Sequence, residues 1–156
     1  MDFQLKALPA EPFAPLFALT EEELAARHIV AETVTETPGT PCRVSLADAE
    51  IGERVILCNY EHQQGASPYR ASHAIYVREG AAQAHLGLNE VPEVIQQRLI
   101  SLRFFDARHM MVEADVVDGT EVRAALSSGF ARSGAAYAHL HYAKPGCFAA
   151  AAFPVA

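Results

Sequence analysis

Runs of β-branched and aromatic residues arrive along this chain in adjacent groups rather than alternating regularly with helices. That order restricts the fold more than any other feature. Parallel neighbours need a crossover of a dozen or more residues, usually a helix, whereas runs joined by short turns pair antiparallel. The runs are Phe3–Leu8, Ile29–Thr35, Arg54–Tyr60, His73–Arg78, Leu99–Phe105, Met110–Val117 and Tyr137–Tyr142. Leu99–Phe105 and Met110–Val117 flank the polar Asp106-Ala107-Arg108-His109 and predict a hairpin.

Helix signals are few. Thr20 before Glu21, Glu22 and Glu23 is a capping box for a short helix ending near Arg27. Asn89 before Pro92 and Glu93 suggests a second short helix with Asn89 as its cap. Asp118-Gly119-Thr120-Glu121 predicts a third start, and Val122, Leu126 and Phe130 then form one apolar stripe, widened by Ala125, that ends at Ser133-Gly134. The expected fold is α+β: a largely antiparallel sheet of five to seven strands, with one main helix and two short helices packed on it. Residues 1–156 read as a single globular domain, closing in a small apolar tail from Ala149 to Ala156.

Composition narrows the function classes. A net charge of −7 and no run of basic residues argue against a nucleic-acid surface. No apolar stretch approaches the roughly 18 residues of a membrane span. The start, Met1-Asp2-Phe3, has no signal-peptide character, and three cysteines without a C-x-x-C pair suit reduced thiols, so a cytoplasmic protein is expected. None of the G-x-S-x-G, Walker, G-x-G-x-x-G or H-E-x-x-H patterns occurs, and no cofactor is expected.

The densest chemistry lies in Tyr137 to Cys147. As a strand, its period of two puts Tyr137, His139 and His141 on one face and Ala138, Leu140 and Tyr142 on the other. His139 and His141 are candidates for proton transfer, as is His73, with Cys147 beyond Pro145-Gly146 as a candidate nucleophile. An ordinary polar sheet face is the leading alternative for the pair, and metal a lesser one that needs a further ligand such as His73, His109, Glu113 or Cys147. Arg43 and Arg70 are candidate anion clamps. Tyr60, Glu61, His62 and Tyr69 fill a polar connection of the kind that carries binding groups.

Pro41-Cys42-Arg43-Val44-Ser45-Leu46, Asn59-Tyr60-Glu61-His62-Gln63, Ser67-Pro68-Tyr69-Arg70 and His141 with Pro145-Gly146-Cys147-Phe148 resemble the bacterial family known as domain of unknown function 1203. The resemblance runs from Phe3 to Phe148. It implies a small single-domain cytoplasmic protein and carries no activity, ligand or catalytic residue with it. Three readings follow: a small-molecule site for an anionic metabolite, with histidine acid–base chemistry; a homodimer or interaction domain held by sheet edges or the apolar tail; and a mononuclear metal site on the His139/His141 strand.

Overall fold

Alternating side chains make each strand two-faced, and here both faces are used. The computed structural model describes all 156 residues. Its strands are β1 (Asp2–Lys6), β2 (Val30–Thr33), β3 (Arg54–Gln63), β4 (Ala71–Arg78), β5 (Leu99–Phe105), β6 (Met111–Asp118), β7 (Tyr137–Tyr142) and β8 (Phe148–Val155). They form two antiparallel sheets: a five-stranded one in the order β1-β8-β7-β5-β6 and a three-stranded one in the order β2-β3-β4. The helices are α1 (Glu21–Ala26), α2 (Glu93–Gln96) and the main one, α3 (Val122–Ser133). The α+β class is as expected, with the strands divided between two sheets. None of the helices is long and apolar enough to cross a membrane.

The larger sheet is the middle layer. Ile100, Leu102 and Phe104 of β5 and Ala138 and Leu140 of β7 pack with Val122, Leu126 and Phe130 of α3 in one core. The opposite face meets the small sheet, where Phe148 packs with Ile56, Cys58, Ile75 and Val77. Phe130 crosses Phe104 edge to face at 5.3 Å.

Three expectations change. The apolar tail is β8, an inner strand paired on both sides by β1 and β7, with Ala149, Ala150 and Ala152 fully buried. Alanine has little strand preference, so nothing local announces this strand. No free tail remains to join copies of the chain. Asn89 does not cap α2, whose N-cap is Pro92; it has φ +57° and ties down β1, accepting from Phe3 N and donating to Asp2. Asp118 is a cap as expected, but of a 3-10 turn, Gly119–Glu121, that precedes α3, and it accepts from Thr120 N instead of forming a capping box with Glu121. The Thr20 box forms in full, with Thr20 Oγ1 accepting from Glu23 N and Glu23 returning the bond to Thr20 N.

Candidate functional site

The face of β7 turned from α3 presents Tyr137, His139 and His141 to the gap between the sheets. Two β-bulges complete this layer. In β3 the pairing slips between Tyr60 and Gln63, so the consecutive His62 and Gln63 both turn towards β7. His62 meets His141 at 4.8 Å and His139 at 5.8 Å between ring centres, while Gln63 donates to the Tyr137 hydroxyl at 2.9 Å. In β8 the slip at Ala149 sets Phe148 opposite His141, where its ring stacks on His62 at 5.5 Å and 5°. The result is a three-histidine cluster. One ring nitrogen from each of His62, His139 and His141 lies within 4.8 Å of the others.

These imidazoles are neutral. Burial chiefly lowers His62 and His139 to about 4 and His141 to about 3, helped in each case by the nearby Arg103 guanidinium. His141 Nδ1 lies 2.9 Å from the Gly146 carbonyl, which can only accept, so a neutral His141 carries its proton on Nδ1 and its lone pair on Nε2. That Nε2, His62 Nδ1 and His139 Nδ1 are buried without hydrogen-bond partners. Arg103 stands opposite His139 across β5–β7, makes one side-chain hydrogen bond, to Ser101 Oγ at 3.4 Å, and pairs with no carboxylate.

A second feature lies beyond the β7–β8 turn. A cleft of about 510 Å³ is bounded by Leu57, His73 and Tyr76 from the small sheet and by Tyr142, Lys144 and Cys147 from the turn. Arg43 and Arg98 also reach it, and no aspartate or glutamate does. Arg43, 1% exposed, donates from Nε to the Phe148 carbonyl, from Nη1 to the Pro41 carbonyl and from Nη2 to Cys147 Sγ at 2.9 Å. It is therefore first a strut joining the 39–48 loop to β8. Tyr142 sits between the two arginines, 4.9 Å from the Arg43 guanidinium and 5.4 Å from that of Arg98. Burial pushes its phenol up to about 12, so the hydroxyl keeps its proton. Arg98 is held by both Asp48 oxygens.

The sequence candidates thus divide into three places. His139 and His141 gather with His62; Arg43, His73 and Cys147 gather at the cleft; Arg70 and Glu61 pair at 2.5 Å in a separate surface groove. Arg70 and Arg43 therefore do not clamp one anion. Tyr60 packs against Phe13 and Phe148, and Tyr69 against Phe105. The third imidazole comes from His62 rather than from His73, His109, Glu113 or Cys147. His109 instead pairs with the Tyr137 hydroxyl at 2.7 Å, and Glu113 with Arg132. The sequence does not single out Lys144, Arg98, Tyr142 and Arg103 as site residues: Tyr142 and Lys144 lie in the histidine segment, but only the β7–β8 turn and the β5–β7 register bring the four to these sites.

A family model described as "Protein of unknown function (DUF1203)" matches residues 39–152, a span that includes the cleft and all three histidines. No curated protein and no solved structure matches the chain.

Proposed function

This chain belongs to the DUF1203 family of proteins of unknown function, and we propose that it binds a small organic acid in the cleft between the small sheet and the β7–β8 turn. One observation carries the reading: in a chain of net charge −7, the cleft is reached by Arg43, Arg98, Lys144 and His73 and by no carboxylate. Its volume lies within the roughly 300–1,000 Å³ typical of small-molecule sites. Leu57, Tyr76 and Leu99 supply an apolar wall for the body of such a ligand. Lys144 is exposed and makes no ion pair, which leaves it to meet the acid group; Arg43, whose partners are all uncharged, adds positive field, whereas the charge of Arg98 is offset by Asp48. His73 is the one imidazole at the cleft and the group suited to exchanging a proton with the ligand. The Cys147 thiol faces the same space beside Arg43. Free thiols at Cys42, Cys58 and Cys147 fit a reducing compartment, so the reading extends to a cytoplasmic protein.

The test is a panel of small carboxylates and phosphates, screened by thermal shift and measured by calorimetry. At least one should bind saturably, with affinity that falls as salt rises, and Lys144→Ala should weaken it about tenfold, the loss of one charge-assisted hydrogen bond. Lys144 is at the surface, so the variant folds. Acids that bind no better than neutral analogues, or that ignore Lys144→Ala, would sink the proposal.

A further inference from the structure

We propose that His62, His139 and His141 form a mononuclear site for a divalent transition-metal ion of the zinc type, distinct from the acid-binding cleft. The geometry points there first. Three imidazoles from two sheets converge with one nitrogen each inside 4.8 Å, and every ring has a buried nitrogen with no partner. A histidine layer that served only to pack would leave those nitrogens unsatisfied, at about 1–3 kcal/mol apiece. Phenylalanine would fill the same space without that cost. The polar rings therefore ask for a common partner.

The ring chemistry agrees with a metal rather than an anion or a shared proton. A metal needs a free imidazole lone pair, and His62 Nδ1, His139 Nδ1 and His141 Nε2 are each buried with no protein partner to occupy them. The Gly146 carbonyl fixes the proton of His141 on Nδ1 and so aims its Nε2 lone pair outward, the outer-shell carbonyl contact that ligating histidines commonly make. Phe148, stacked on His62, sets the plane of the third ring. Tetrahedral zinc with bonds of 2.0–2.1 Å holds its nitrogens about 3.3 Å apart. The rings need to close by only about 1.5 Å, and His62 is the least buried of the three.

The donor set also selects among ions. Three nitrogens with no carboxylate or thiolate suit zinc, cobalt, nickel or copper and do not suit magnesium or calcium. Three protein ligands leave a fourth position for an exogenous group. Arg103, which pairs with no carboxylate, opposes a bare cation and favours one that carries an anion, so that fourth ligand is anionic.

The experiment uses full-length protein made without a polyhistidine tag and stripped with a chelator. Cobalt(II) titration should give visible ligand-field bands that saturate at one ion per chain, and zinc should displace it. His62→Ala should weaken zinc binding about a hundredfold or more, whereas His28→Ala, at an exposed turn, should leave it unchanged. Imidazole 15N shifts of the wild-type protein give a readout that needs no variant: zinc should move three of the seven histidines, His62, His139 and His141. No saturable binding, zinc affinity indifferent to His62→Ala, or shifts confined to other histidines would each overturn the proposal.

Discussion

His141 is 1% exposed and its ring is surrounded by His62, His139 and Phe148, yet it keeps one firm hydrogen bond, to Gly146. A proton added there has nowhere to be solvated, and the same holds for its two neighbours. In the metal-free protein all three therefore titrate well below the ordinary 6.5, at about 4, 4 and 3. The unfolded chain takes up these protons first as pH falls. Stability is then fully present above pH 6.5 and drains away between 6.5 and about 3, the unfolded state holding up to three more protons than the native one. Denaturant midpoints measured across that window should fall steeply, and zinc should flatten the slope. A flat profile without metal would mean that the rings are not held neutral by the fold. At this scale the sequence shows half of the cluster. The alternation of Tyr137, His139 and His141 is legible, but His62 joins through a bulge that leaves no mark in residue spacing. Arg43 reads as a free cation because nothing local reveals the Phe148 and Pro41 carbonyls that hold it.

Among the elements, α3 meets the sheet at Gly129, which faces the Phe104 ring. A Cβ there would lie 2.3 Å from the Phe104 ring, itself buried and braced by Phe130. Gly129→Ala gains about 0.5–1 kcal/mol of helix preference and loses more to overpacking, for a net destabilisation of about 1–2 kcal/mol in chemical denaturation. A neutral or stabilising result would show that α3 slides freely on β5. The element map was largely legible: α3, the β5–β6 hairpin, β3, β4 and β7 all follow from period and turn residues. The exception is β8. Its alanines carry neither alternation nor β-branching, and they make an inner strand because both neighbours complete its hydrogen bonds and small side chains admit the layers on either side.

For the whole molecule, what the sequence conceals is the division of strands between sheets. Period and turn chemistry say that strands pair antiparallel with neighbours. They do not say that the chain leaves β4, crosses to β5 and builds a second sheet behind the first, because that choice belongs to long-range packing. Layering has a measurable signature. Amide exchange should be slowest in β5, β7 and β8, which are paired on both sides under buried faces, and fastest in the edge strands β2 and β6. Equal protection of β2 and β7 would show that the two sheets open together.

The pairing of β1 with β8 bears on how the protein is made. β1, carrying Phe3 and Leu5, leaves the ribosome before every other strand of the fold, and its partner β8 emerges after all of them. The small sheet can form early, but the middle layer cannot close until synthesis has passed Val155. While the strands between β1 and β8 are made, then, β1 waits with its apolar face uncovered, a natural client for whatever shields such segments in the cell.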